Sequence, residues 1–391
     1  MPRSADRRPL PAGFATIWTT VALDLVGFGI VLPILPLYAE RFGAGPATVG
    51  LLVATFSVAQ LVFAPLWGRL SDRVGRRPVL LVSLVGTAVG SLLTGLAGSL
   101  WVLFAGRVVD GVSGASVSVA QASVVDLAPP EERARLLGLL GAAFGLGFVA
   151  GPALGALAAL GGPEVPFLLA AGIAAVNALV AARRLPETRP VAPAADAVAA
   201  PPVRGDLARL AAVAFVSLVA FSGFEATFAL LGEARLDLTI SSTGAVFAAI
   251  GVVLVAVQVA LVHPVNRRLG EATTLRAGLA LDAVGLCLLA AADGWPLLVP
   301  ALLALVVGQG LVTPTLSAAV GRRAGAERRG AALGVQQSAG GLARVAGPAA
   351  AGALFEHLGI GAPYVVGAVL ALIALALVPA RVVEAAPAGV P

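Results

Sequence analysis

The sequence predicts an all-α membrane protein, with twelve transmembrane helices in two pseudo-symmetric six-helix bundles. Three observations carry that prediction. The first is composition. Of 391 residues, 59% are hydrophobic and 12% charged, with mean hydropathy +0.96, where soluble domains carry roughly 25% charge. A soluble core cannot absorb so much apolar surface, so lipid must be the solvent for much of the chain. The second is a series of apolar runs, each near the ~20 residues that a bilayer crossing needs. The third is an internal repeat.

The runs place helices near 14–38, 46–67, 78–98, 99–123, 134–159 and 163–183. A second set follows near 207–231, 242–263, 273–292, 295–318, 329–354 and 360–380. Gly and Pro within them do not veto helices, because membrane bundles tolerate both. Barrel strands are excluded by the length and continuity of the runs.

Between the two sets, Leu185–Asp206 is rich in Pro and Ala and reads as a cytoplasmic linker. The predicted domains are therefore 1–184, a six-helix bundle, 185–206, the linker, and 207–391, a second six-helix bundle. The bundles repeat. Arg73-Val74-Gly75 matches Arg268-Leu269-Gly270, and Glu132-Arg133 matches Glu327-Arg328, both at an offset of 195. Gly27-Phe28 matches Gly223-Phe224, and Gly151-Pro152 matches Gly347-Pro348, both at 196. A parallel repeat of this kind predicts two similar bundles with a site between them, and rocking of one against the other.

All 26 basic residues are Arg. Most fall in short loops on one face and at the chain ends, from Arg3, Arg7 and Arg8 to Arg189, Arg204 and Arg381. Arg41 and Arg235 fall on the other face, and Arg107 and Arg344 within spans. This is the positive-inside pattern, and it puts both termini in the cytoplasm. It also excludes a nucleic-acid surface, which would not alternate in register with apolar segments. The single Cys287 precludes an intramolecular disulfide and reads as a packing residue. The polar tail Pro2–Pro11 precedes a run long enough to span, so no cleaved leader is expected.

Asp24 lies in the middle of the first run. A carboxylate at that depth costs at least ~2.5–3.5 kcal/mol on insertion scales, and such groups mark proton or substrate pathways. Pro33 and Pro36 follow it, as in a helix shaped for motion. In the fourth span Arg107 and Asp110 stand three apart, on one helix face, and can pair. The pair reads either as a self-satisfied structural bridge or as one whose protonation tracks transport. Glu225, in the seventh span, is a second acid at depth, flanked by Phe224 and Phe228. Those rings could stack on a flat or cationic substrate, with Phe28, Gln121, Gln258 and Gln336 as further cavity residues. Asp282 reads as structural or snorkelling, and His263 and His357 as bystanders near span ends.

The loop after the second span reads Gly68-Arg69-Leu70-Ser71-Asp72-Arg73-Val74-Gly75-Arg76-Arg77-Pro78. Gly68 and Gly75 permit tight turns. Asp72 can cap the next helix or pair with an Arg, and Asp126, at the end of the fourth span, can receive Arg76 or Arg73. The fifth span carries Gly141, Gly145, Gly147, Gly151-Pro152 and Gly155, small residues that let helices approach closely.

Several absences bound the function. No GxxxxGK[ST] phosphate loop is present, so nucleotide hydrolysis is not the energy source. Metal-ligating Cys/His clusters and HExxH or GxSxG motifs are missing too. No cofactor is expected, and energy must come from an ion gradient or from the substrate's own.

The segments Leu23–Pro36, Gly68–Pro78, Arg107–Asp126 and Glu131–Gly155 resemble the major facilitator superfamily, and the likeness extends over nearly the whole chain. Gly68–Pro78 resembles its signature loop, whose ion pairs stabilise the outward-open state. The resemblance gives Gly68, Asp72, Arg73, Gly75, Arg76, Arg77 and Asp126 that conformational role. Arg107 resembles the conserved Arg linked there to proton coupling. Gly147, Gly151, Pro152 and Gly155 look like the antiporter motif, although Ala156 stands where a second Gly is usual. Within the superfamily the chain looks most like the twelve-span drug:proton antiporters, in the subgroup of tetracycline and multidrug efflux proteins.

That resemblance implies proton-coupled export of drug-like amphiphiles from a bacterial cytoplasm or inner leaflet. The protein would be a monomer in the cytoplasmic membrane, and not an enzyme. Asp24, Asp110, Glu225 and Arg107 are then the proton-coupling residues. The resemblance departs at the third span, where tetracycline exporters carry an acid and Leu80–Ala97 carries no charge. The rival readings are a proton-coupled importer or facilitator of a nutrient, and a non-transporting sensor on the same fold. The Ala-, Gly-, Val- and Phe-rich cavity helices disfavour the first, and the paired acids and intact signature loop the second.

Overall fold

The computed structural model describes residues 10–129, 132–188 and 205–379. The N-terminal tail through Pro9, Glu131, the middle of the predicted linker and the chain beyond Pro379 lie outside them. So do Arg3, Arg7, Arg8, Arg189, Arg204 and Arg381.

Among the described residues all regular structure is helical. The first predicted span is broken into α1 (Phe14–Val31) and α2 (Leu35–Glu40). Pro33 has no amide to donate to the preceding turn, and Pro36 sits where a helix start accepts it. The second span, α3 (Pro46–Val74), runs 29 residues and carries Pro65. It is followed by α4 (Arg76–Gly95). The fourth span is split at Gly114–Ala115 into α5 (Leu100–Ser113) and α6 (Ser116–Leu127). Then come α7 (Arg133–Ala158), α8 (Val165–Arg184) and α9 (Asp206–Leu236).

Thr239 and Ser242 exchange side-chain-to-backbone hydrogen bonds in a capping box that starts α10 (Ile240–Ala260). The remaining helices are α11 (Val262–Leu269), α12 (Glu271–Ala290) and α13 (Trp295–Arg323), then α14 (Gly325–Leu358) and α15 (Ala362–Leu377). Counting α5–α6 and α10–α11 as single spans, ten helices among the described residues, all before Ala324, are long and apolar enough to cross a membrane. α14 is 34 residues long and α15 is 16.

Large apolar side chains face outward along these helices. Trp101 is 83% exposed and Val259 78%. Val62, Leu66, Val176, Leu179, Val365 and Leu372 are exposed as well. Surface of this kind is incompatible with water on such a scale and fits lipid. Cys287 is one of the outward-facing residues, so it lines the lipid surface and does not pack in the core.

The helices form two compact units, one of residues 1–31 and 59–195, the other of 32–58 and 196–391. Each has its own apolar core, and the two cores use repeat-related positions. In the first, Phe14, Ile17, Leu80, Leu84 and Ala120 are buried together. In the second, the residues 195 or 196 positions on, Leu210, Val213, Leu275, Leu279 and Leu316, do the same. A glycine seam is duplicated too. In the first unit, a Cβ on Gly151 would lie 2.6 Å from Gly29 Cα, and one on Gly147 2.8 Å from the Leu25 backbone. In the second, a Cβ on Gly347 would lie 2.6 Å from Val219 O. Only glycine lets α1 and α7, or α9 and α14, approach so closely.

The segment 32–58 belongs to the first repeat by sequence and to the second unit by contact. Its α2 packs on α9, and the first turns of α3 lie against α14.

Candidate functional site

The middle of α1 carries Asp24 into the first unit beside the start of α6. Ser116 Oγ donates to Asp24 Oδ2 at 2.5 Å. The break at Gly114–Ala115 makes this possible, because it restarts the helix with Ser116 turned to α1. The other carboxylate oxygen, Asp24 Oδ1, is buried and has no hydrogen-bond partner. Asp110 lies close enough for its charge to act on Asp24.

Arg107 is 2% exposed, and its Nη1 donates to Asp110 Oδ2 at 3.0 Å. Thr87, from α4, donates to the same carboxylate. The predicted i, i+3 pair therefore forms, and the structure joins it to Asp24 in one polar cluster inside an apolar bundle. The cluster comprises two acids, one base and two hydroxyls. One carboxylate oxygen is left over, so a proton could be held or released there without any backbone change.

The second unit carries Glu225 on α9, within electrostatic reach of Arg344 on α14. The rings beside it are not open. Phe224 and Phe228 are 2% and 0% exposed. They form a cluster with Phe247 of α10, with centroids 5.4 Å apart for Phe224–Phe228 and 5.5 Å for Phe228–Phe247. Their apolar area is consumed in packing α9 against α10, so in this structure they back Glu225 and offer no face to a substrate. Phe28 and Gln121 are half-buried and Gln258 is exposed. Gln336 Nε2 donates to Ser317 Oγ at 3.1 Å, and its Oε1 is buried without a partner.

Of the two sequence readings of Asp282, only the structural one stands. It does not snorkel: it is 5% exposed in mid-α12, its Oδ1 has no partner, and that oxygen fills the space beside Gly308 of α13. The neighbouring Gln309 Oε1 is buried without a partner as well. The one signal that could have found it was an acid centred in an apolar run.

The signature segment is mostly not a loop. Gly68–Val74 continues α3, and the break is one residue, Gly75, at φ 107°, a conformation L side chains avoid. Gly68 makes no close approach, since a Cβ there would meet nothing within 4 Å. Arg76 is the hub. It pairs with Asp126 at 2.9 Å and with Asp72 at 2.6 Å, and it donates to Ser71 Oγ. Arg77 Nη2 donates to Ala182 O at 2.6 Å.

A residue missed by the sequence completes this turn. Glu187, from the start of the predicted linker, accepts the backbone N–H of Arg76 at 2.8 Å and of Arg77 at 3.3 Å. A carboxylate at the first amides of α4 suits the helix dipole. The motif gave no hint of a partner more than a hundred positions away. Asp126→Asn is expected to slow turnover several-fold without reducing the amount of inserted protein, because Arg76 loses its ionic partner on α6 while Glu187 still caps α4. Initial rates of transport, normalised to immunoblotted protein, check this.

The sequence profile of the Major Facilitator Superfamily matches residues 17–281 and 210–390. Among similar proteins, the class G tetracycline resistance protein of Vibrio anguillarum is 36% identical over 374 residues, 91% of this chain and 94% of the relative. The human major facilitator superfamily domain-containing protein 10 is 30% identical over 396 residues, 87% of this chain and 86% of the relative. The crystal structure described as the human organic anion transporter MFSD10 (TETRAN) has TM-score 0.71 at 29% identity, covering 94% of this chain and 99% of that one. The nucleoside transporter NupG, at 13% identity and TM-score 0.71, shares the fold. This multi-pass membrane chain belongs to the Major Facilitator Superfamily, a family of transporters and not of enzymes.

Proposed function

We propose that the protein exports drug-like amphiphilic molecules across a bacterial cytoplasmic membrane in exchange for protons, by alternating access, with both termini cytoplasmic. The observation that carries the reading is the buried cluster of Asp24, Ser116, Arg107 and Asp110 in the first unit, with its partnerless carboxylate oxygen. An acid at membrane depth that lacks a partner is costly when ionised, so it is kept for a function. The relatives that are tetracycline resistance proteins, from bacteria, support a drug-like substrate and this location.

In this reading, Asp24 and Glu225 take protons from outside and yield them inwards as substrate binds. Arg107 and Asp110 set the local charge that Asp24 feels. Asp282, like Asp24 a buried acid with one oxygen that lacks a hydrogen-bond partner, joins them. Arg344 competes with a cationic substrate for Glu225. Phe28, Gln121, Gln258 and Gln336 contact substrate, and Phe224 and Phe228 form the wall behind Glu225. The signature turn around Arg76 biases the two states, and the glycine seam at Gly147, Gly151, Pro152 and Gly155 lets α7 move against α1.

The test is uptake into everted membrane vesicles under an imposed proton gradient, with tetracycline, lipophilic cations and other amphiphilic drugs as probes. The expected result is uptake that needs the protein and collapses with the gradient. Uptake indifferent to the gradient would overturn proton coupling, and no uptake of any probe by well-inserted protein would favour a nutrient or metabolite as substrate.

A further inference from the structure

Three consecutive carbonyls at the break in the fourth span are taken by side chains of other helices. Trp67 Nε1 of α3 donates to Val112 O at 2.5 Å, Ser83 Oγ of α4 to Ser113 O, and Gln60 Nε2 of α3 to Gly114 O at 2.8 Å. In an unbroken helix these carbonyls would take the N–H groups of residues 116, 117 and 118. The break falls near the middle of the 28-residue span Leu100–Leu127. No water is at hand there for a free backbone group, so a break survives only where protein supplies the partners. Space is left for them as well. Gly86 makes room for the Ser113 side chain, and a Cβ on Gly114 would lie 2.8 Å from Gln60 Nε2.

The second repeat serves as an internal control. Its corresponding helix, α13, runs unbroken from Trp295 to Arg323, although it contains Pro300 and Pro314. The α5–α6 span contains no proline and breaks. At the offset of 195, Val255, Val262 and Gly278 stand for Gln60, Trp67 and Ser83, and none of them has a side-chain donor. Leu302 and Leu305 stand for Arg107 and Asp110. The donors, the break and the Arg–Asp pair occur together in the first unit, and the second has none of the three at these positions.

We propose that Gln60, Trp67 and Ser83 are positioning residues, which brace the fourth span open so that Ser116 stays on the Asp24 carboxylate. Gly114 sits at ψ 42°, far from the helical value near −42°. Rewinding it to that value would swing Ser116, two residues on, away from α1. Gln60 matters most, because its amide holds the carbonyl of Gly114 itself. The consequence for transport rests on the proton-exchange reading above, and the brace is measured separately from it.

With Cys287→Ala removing the native thiol, Asp24→Cys and Ser116→Cys place two thiols where the carboxylate and the hydroxyl meet. Oxidation in intact membranes, then denaturation and counting of free thiols with a mass-tagged maleimide, gives a cross-linking rate that needs no transport. Adding Gln60→Met, close in size but without a donor, is expected to slow cross-linking roughly fivefold, the weight of one ordinary hydrogen bond. Trp67→Phe should act in the same direction. With Asp24 and Ser116 intact, Gln60→Met should lower gradient-driven uptake by a similar factor. Downhill exchange across unenergised vesicles and the amount of inserted protein should stay as in the wild type. Cross-linking unchanged in both Gln60→Met and Trp67→Phe would overturn the brace. Uptake unchanged, or uptake and exchange falling together, would overturn the positioning role. Slower cross-linking in a protein whose wild type shows no gradient-driven uptake would keep the brace and remove the proton-exchange reading.

Discussion

Asp24→Asn is expected to abolish gradient-driven uptake into everted vesicles while leaving the quantity of inserted protein unchanged. The substitution is nearly isosteric. The Asn carbonyl oxygen can still accept from Ser116 Oγ, so the contact between α1 and α6 is kept. What is lost is the ability to take and release a proton. The partnerless Oδ1 becomes an amide or stays a carbonyl, and neither titrates in the working range. Downhill exchange of substrate across unenergised vesicles needs no proton and should survive. Loss of both activities would mean that Asp24 holds the bundle together and does not couple it. Full gradient-driven uptake by Asp24→Asn would take Asp24 out of the mechanism, leaving Glu225 and Asp282 to be tested in the same assay.

The second large effect concerns packing. Gly151→Leu is expected to prevent accumulation of folded protein, whereas Gly141→Leu, in the same helix, should be tolerated. At Gly151 even a Cβ would lie 2.6 Å from Gly29 Cα and 2.8 Å from Val26 O, and these are backbone atoms that cannot rotate away. Overpacking a well-filled core costs typically 1–3 kcal/mol, and a blocked helix–helix seam belongs at the upper end. Gly141 meets nothing within 4 Å and faces outward. Detergent-solubilised yield and thermal unfolding of the two variants decide the matter. Equal behaviour would mean that the seam does not govern stability.

That contrast shows what was legible before any coordinates. Each of the twelve apolar runs did become helix, because hydrophobic length and the cost of a free backbone group in lipid leave no other choice. Asp24, Asp110, Arg107 and Glu225 stood out for the same reason, since a charge in such a run has to be accounted for. The Arg107–Asp110 pair was readable from helical spacing alone. The glycines were readable as a string but not one by one. Nothing in the order of Gly141, Gly147 and Gly151 says which of them meets a neighbour, because that depends on the crossing point of α1 and α7.

Phe224 and Phe228 went astray on similar grounds. Aromatic residues beside an acid suit a binding face and a packed core equally, and the arrival of Phe247 from α10 decides for the core. Asp282 reads from sequence as structural or snorkelling, and its burial against Gly308 keeps the first and removes the second. Glu187 could not be paired with Gly75 by inspection, since a cap recruited from so far along the chain leaves no local pattern.

The docking of residues 32–58 bears on how the two repeats stay associated if the covalent link between them is removed. A protein cut within 189–204 would yield two fragments, and the first would carry a stretch that its contacts group with the second. Gly50 against Gly352 and Ala47 against Glu356 would then act as an intermolecular handle. Halves encoded on separate genes have, in that segment, a built-in means of finding each other in the membrane.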